Sequence, residues 1–392
     1  MTTDTDALAT GLRPSRRTLL QSTTAVLAAG GIGAAPAAAQ PVRPPNASAG
    51  AAMPFDTPLQ RQKLIGFMLA HEQFPIPQLT QIGAAAAKAG FGLLATSDHF
   101  QPWQANEGHA GEAWVTLGVL GERAQPAWIG TTVTCPTMRY NPAVVAQTFA
   151  SLSLLYPGRV FLGVGSGEAL NEKAATGAWP AWAERWERLT EAIGIIRALW
   201  SGQPVQHQGK YYTVDGRLYD PPARPIPLMT AANGKKSMRL AGQHGDGLVT
   251  DPLTWKQHKA EWEAGARDAG KDPSQMPVLV EQFVVVGNAE DAGRPAALWR
   301  FLPKAFKGFY EIADPAAIER RAEAELPIGK VVADWTVSPD PDEHIAAIEQ
   351  LFDSGATIVN IHSGQADQEK IVEFYGNRVL PRLRERSIGA FH

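Results

Sequence analysis

Short apolar runs alternate with longer amphipathic stretches along almost the whole chain. The runs at 64–68, 93–96, 128–134, 160–164, 226–230, 247–250, 277–286 and 357–362 end at Gly, Pro or polar residues and read as buried strands. Helical patterns lie between them, at 77–90, 113–123, 142–155, 184–200, 235–241 and 368–386. Gly90 reads as the stop of the first, and Pro142 sits at the first turn of the third. Eight strands with intervening helices predict an α/β fold, a (β/α)8 barrel of the TIM type. A doubly wound open sheet is the rival arrangement of the same elements. The stretch from about Asn288 to Pro339 is too long for one crossover and predicts a helical insertion before the last strand, over the barrel mouth.

With 392 residues, 44% of them hydrophobic, the chain can bury one large core. A net charge of −3 gives no draw toward nucleic acid or an anionic membrane surface. The single cysteine, Cys135, excludes a disulfide framework. The amino terminus reads as an address. Ser15-Arg16-Arg17-Thr18-Leu19-Leu20 is a twin-arginine pattern, 25–33 is weakly apolar, and Ala37-Ala38-Ala39 suits cleavage. The expected organisation is a signal peptide over 1–39, a Pro/Ala/Ser-rich flexible tether over 40–60 and one barrel domain over 61–392. That route carries folded proteins, as an enzyme loading its cofactor in the cytoplasm requires. Export through the twin-arginine machinery to the cell envelope, soluble or peripherally held, is the expected fate; a homodimer is compatible with the chain.

Candidate chemistry gathers where strands end. Ser97-Asp98-His99-Phe100-Gln101-Pro102-Trp103 follows the second run and sends an acid, an imidazole and an indole out together. Oxidising an alcohol needs a base for the hydroxyl proton, and imidazole titrates near neutrality. An N-cap aspartate beside a structural histidine is the plainer reading. Gly163-Val164-Gly165-Ser166-Gly167-Glu168-Ala169-Leu170-Asn171-Glu172 follows the fourth run. Its glycine spacing is not the dinucleotide fingerprint, but glycines let backbone amides approach a flat ligand. Glu168 read alone also suits a solvated turn. Cys135, within Gly130-Thr131-Thr132-Val133-Thr134-Cys135-Pro136, reads as core-lining rather than nucleophilic.

Together these segments resemble the F420-dependent glucose-6-phosphate dehydrogenase branch of the luciferase-like superfamily, from about Lys63 to Arg384. The resemblance implies coenzyme F420 as cofactor and hydride transfer from an alcohol to its deazaflavin. It implies His99 as base, Asp98 as support for the site and the cofactor, Trp103 stacked near the reaction centre, and Glu168 as proton donor to the ring. Ser166, Gly167 and Asn171 then fall near the cofactor, as do Thr132, Val133 and Cys135, with a cis peptide between Thr132 and Val133. Ala231, Ala232 and Asn233 bring backbone amides to the cofactor phosphate, and Lys235 and Lys236 either help there or form a solvated first turn. No metal is implied.

The departures narrow the substrate. Relatives that oxidise a sugar phosphate hold the dianion with two lysines and an arginine. The corresponding positions here read Asp251-Pro252-Leu253-Thr254, a place near Phe309-Tyr310, and Asp334 before Trp335. The insertion between Trp299 and Tyr310 is dense in aromatics, which suits either an acyl-binding surface or simple packing on the barrel. With the leader, this pattern resembles the F420-dependent hydroxymycolic acid dehydrogenases and implies oxidation of a secondary hydroxyl on a very long acyl chain. Two alternatives stand beside it: a monooxygenase using flavin mononucleotide in the same barrel, and an exported protein that binds F420 or lipid without turnover.

Overall fold

The computed structural model describes residues 63–386, together with Leu59. The expected leader and, Leu59 apart, the tether lie outside the described residues. The strands run in chain order as β1 (Leu64–Leu69), β2 (Leu93–Thr96), β3 (Trp128–Thr134), β4 (Val160–Val164), β5 (Val205–Gln208), β6 (Thr213–Gly216), β7 (Leu228–Ala231), β8 (Gly247–Thr250), β9 (Val278–Val286), β10 (Thr336–Ser338) and β11 (Ile358–His362). Parallel pairing follows the order β1-β2-β3-β4-β7-β8-β9-β11. The β1–β11 register, Leu64 opposite Ile358, then closes the barrel. That closure rules out the open sheet. All eight expected strands form, and β10 adds to the outer edge of β9.

Strands such as β2 and β4 are buried at every position because both faces are covered. Leu64, Met68, Leu93, Trp128, Phe161, Met229, Val249, Leu279 and Ile358 fill the barrel interior. Ile65, Phe67, Leu94, Ile129, Leu162 and Val359 face outward into the layer beneath the helices. The helix Ile76–Ala89 turns Leu79, Ile82, Gly83 and Ala86 inward and ends at Gly90 in the left-handed conformation, φ 104°. A Cβ on Gly83 would lie 2.4 Å from Leu120, so the glycine lets the helix Ala113–Arg123 come close.

The helices Pro252–Asp268 and Pro341–Asp353 join the six expected, and two further features differ from the sequence expectation. The hairpin β5–β6 is absent from the sequence expectation: Val205 and Val214 are isolated among mostly polar, at best half-buried residues, so no apolar run marks it. The insertion holds the helices Gly293–Leu298, Pro315–Glu325 and Ile328–Val331, and its aromatics are core rather than surface. Trp299, Phe301 and Phe306 are each no more than 3% exposed. Among the described residues no helix is long and apolar enough to cross a membrane.

Candidate active site

Three strand ends build the site. The loop after β2 places His99 with its Nδ1 3.1 Å from the Gln101 carbonyl. A carbonyl only accepts, so Nδ1 carries the proton and Nε2 is left as the basic nitrogen. Nε2 lies 3.5 Å from Oε1 of Glu72, in the loop after β1. Oε2 of Glu72 accepts the Ser97 hydroxyl at 2.5 Å, and the Ser97 oxygen accepts the His71 amide. Glu72 is therefore buried, oriented and aimed at His99. Trp103 covers the imidazole at 5.0 Å between ring centres and stacks on Phe301 at 4.7 Å.

Asp98 lies in a buried network. It accepts Thr134 at 2.6 Å, the Arg139 guanidinium at 2.9 Å and the Tyr140 hydroxyl at 3.1 Å. Its oxygens are taken up by the protein, so it anchors the loop that carries His99. Arg139 also faces Glu172 at 3.7 Å, and its backbone amide donates to that carboxylate at 2.7 Å. Burial pushes Glu172 up to about 7 despite Arg139. Burial and the nearby Asp98 carboxylate raise the Tyr140 hydroxyl.

The third strand end carries Glu168. Asn171 ties it to the His99 loop: its Oδ1 accepts the amides of Phe100 and Gln101 at 2.8 and 3.3 Å, while its Nδ2 donates to Glu168 at 3.2 Å. The Ala169 amide donates to the Tyr310 carbonyl, and the Tyr310 hydroxyl accepts Asn233 at 2.7 Å. The insertion is thus sewn directly to the Glu168 turn. Burial, then the Glu168 charge, raises the Tyr310 hydroxyl.

The peptide between Thr132 and Val133 is cis, at the place expected. Beside it lie the glycines at the end of β4 and in the turn that follows. A Cβ on Gly163 would meet the Thr131 carbonyl at 2.0 Å, and one on Gly165 the Val133 side chain at 2.7 Å. These two glycines accommodate the β3 bulge, a packing role beyond the ligand approach expected of them. Gly167, φ 81°, turns the chain against Cys135, whose thiol burial pushes well up, as suits a packing residue. A Cβ on Gly165 would lie 3.9 Å from Ala231. Small groups side by side, with half-buried Thr132, Val133 and Ser166 around them, make a flat floor that suits a flat ring. Ala232 is buried and Asn233 exposed. The Asn233 and Gly234 amides both reach the Ser237 hydroxyl, so those two are already engaged; Lys235 and Lys236 are exposed.

Residues 62–357 match the family model described as luciferase-like monooxygenase. The chain belongs to this family. Within it, the chain is 45% identical over 334 residues to the F420-dependent hydroxymycolic acid dehydrogenase of Mycobacterium tuberculosis, covering 84% of this chain and 91% of the relative. It is 40% identical to the F420-dependent glucose-6-phosphate dehydrogenase of Tsukamurella paurometabola, covering 82% and 98%. A solved F420-dependent secondary alcohol dehydrogenase in complex with an F420-acetone adduct superposes with a TM-score of 0.77 at 33% identity, covering 82% and 99%.

At the rim, Lys304 of the insertion lies 3.4 Å from Asp251 and also donates to Thr254. A lysine does stand near this rim, supplied from a different segment and already occupied.

Proposed function

We propose that this protein is a coenzyme F420-dependent dehydrogenase that oxidises an uncharged secondary alcohol to a ketone, on a long-chain lipid of the hydroxymycolic acid kind. The observation that carries the reading is the convergence of the His99–Glu72 pair and Glu168 at one barrel mouth, joined through Asn171. The names borne by its relatives and by the secondary alcohol dehydrogenase it superposes on support the cofactor and the alcohol.

The flat floor at Val133, Gly165 and Ala231 would hold the deazaflavin ring. When bound, the ring supplies a hydride acceptor. Nε2 of His99 takes the hydroxyl proton as hydride leaves the carbinol carbon. Oε1 of Glu72 then faces the imidazolium that forms, a fixed charge placed where charge develops. Glu168, oriented by Asn171, would hold the proton that a bound deazaflavin takes up on reduction. Trp103 and the aromatic insertion exclude water from the site.

The substrate rests on the rim. Asp251 engages Lys304, and Asp334 stands where the resemblance implies an arginine that would hold phosphate. Export to the envelope by the twin-arginine route is proposed from Arg16 and Arg17 together with the small-residue stretch at 37–39. The test gives purified protein a long-chain secondary alcohol or glucose 6-phosphate with F420, or the same alcohol with chemically reduced flavin mononucleotide and oxygen. Loss of deazaflavin absorbance with the lipid alcohol is expected. Efficient turnover of the sugar phosphate alone, or only of the flavin system, would overturn the reading.

A further inference from the structure

The barrel mouth holds a second histidine–carboxylate pair that this chemistry does not use. Glu281 lies in β9, two residues after Leu279, which packs inside the barrel. Strand alternation therefore points Glu281 inward as well. Its side chain is 23% exposed although helices cover the outside of the sheet, so that exposure opens into the mouth. One oxygen, Oε1, accepts from Nδ1 of His362 at 2.8 Å. The other has no protein partner among the described residues.

His362 ends β11 and is locked. Its ring stacks on Phe283 at 4.1 Å, meets the edge of Trp299 at 4.4 Å, and leaves Nε2 buried without a partner. The two pairs share one wall. From His362 the contacts run through Trp299, then Phe301 at 5.9 Å, then Trp103 at 4.7 Å, and so to His99. Gln73, next to Glu72, accepts the Trp299 indole at 3.2 Å and closes the loop.

We propose that Glu281, held in place by His362, is a second hydrogen-bond acceptor for the substrate, and that the alcohol oxidised carries a further hydroxyl along its chain. This rests on the dehydrogenase reading and sharpens it. A carboxylate oxygen facing the cavity accepts a donor and repels phosphate or carboxylate. A bare alkyl chain laid over it would strip its water and return no hydrogen bond, which opposes binding. Sites built to bond a substrate hydroxyl reject the analogue lacking it far more strongly than apolar pockets reject a changed methylene.

The experiment uses the full enzyme with F420 and pairs of substrates of equal length: a secondary monoalcohol and diols whose second hydroxyl is moved along the chain. At least one diol should exceed its partner by about tenfold in kcat/KM, with the gain in KM. Glu281→Leu should bring that ratio to about one. Glu281→Gln, whose amide oxygen still accepts, should keep part of it, and His362→Phe, which keeps the stacked ring but loses the N–H, should lower it. If the leucine variant does not fold, the other two read the same ratio. The proposal is overturned if no diol surpasses its monoalcohol, if the ratio survives Glu281→Leu, or if an amino alcohol is preferred to every diol. Should no alcohol turn over, the dehydrogenase reading itself has failed. Quenching of tryptophan fluorescence by diol against monoalcohol, in wild type and Glu281→Leu, then decides the binding claim separately.

Discussion

Nε2 of His99 lies 3.5 Å from Oε1 of Glu72, and the two residues come from different strand ends. The ring cannot turn freely, because Nδ1 is held by the Gln101 carbonyl. Removing the imidazole should therefore lower kcat by about 10²–10⁴-fold. Glu72→Gln keeps the shape and removes the charge facing the imidazolium, and should cost about tenfold or more, in kcat rather than in F420 affinity. Steady-state kinetics beside cofactor titration checks both; near-normal kcat in His99→Ala with F420 bound would dismiss His99 as base.

Asn171 joins the loop of His99, the proposed base, to Glu168, the proposed proton donor. It makes three hydrogen bonds, two to the amides of Phe100 and Gln101 and one to Glu168. Asn171→Ala leaves two amides and one carboxylate without that partner, at about 1–3 kcal/mol for each group left buried. Turnover should fall by at least about tenfold and thermal stability should drop as well. Asn171→Asp would restore the acceptor but set a second carboxylate beside Glu168, so it should rescue stability better than activity. Equal rescue of both would show that Asn171 only braces the loop.

How much of this was legible in the sequence follows from where burial is two-sided. Leu93–Thr96 and Val160–Val164 are apolar throughout because barrel and helices cover both faces, so they announce themselves. Asp98-His99 and Glu168 stand out in the sequence because polar groups leave such strands at the rim. Glu72 obeys the same rule, following His71 at the end of β1, and could have been found by applying it there. Glu281 had a signal too, as a charge inside the apolar run Val278–Val286. Arg139 had none, since its contact with Asp98 joins positions 41 apart. The aromatics of the insertion allowed two readings, and burial of Phe301 and Phe306 supports packing over an open acyl surface.

A test of stability lies at the opposite end of the helix Lys235–His244. Lys271 donates to the carbonyls of Gly242, Gln243 and Gly245, where that helix stops. Burial, then the charges of Lys271 and Arg197, lower His244 to about 4. The folded value lies below the ordinary 6.5, so the unfolded chain binds the proton first as pH falls. This contribution is intact above pH 6.5 and is lost toward pH 4, amounting to about 2 kcal/mol at pH 5. His244→Gln should flatten that limb. Denaturant melts at pH 7.5 and pH 5 decide it, and an unchanged pH dependence in the variant would assign the acid lability elsewhere.

The rim pair makes specificity testable from the opposite direction. Lys304 is committed to Asp251 and Thr254, so its ammonium is not free for an anion. Asp251→Asn removes the competing charge without removing the lysine. Affinity for glucose 6-phosphate, read as competitive inhibition of alcohol oxidation, should then rise. A charge-assisted contact can reach about 1.5–3 kcal/mol, but Asp251 and Lys304 are 40% and 35% exposed, and screening reduces the gain. About a tenfold rise at low salt, shrinking as salt is added, is the expected result. The double variant Asp251→Asn with Lys304→Met should lose it again, because no cation remains to receive the phosphate. If inhibition by the sugar phosphate is as weak in Asp251→Asn as in the parent, Lys304 does not reach the substrate, and discrimination lies with Asp334 and the aromatic wall instead.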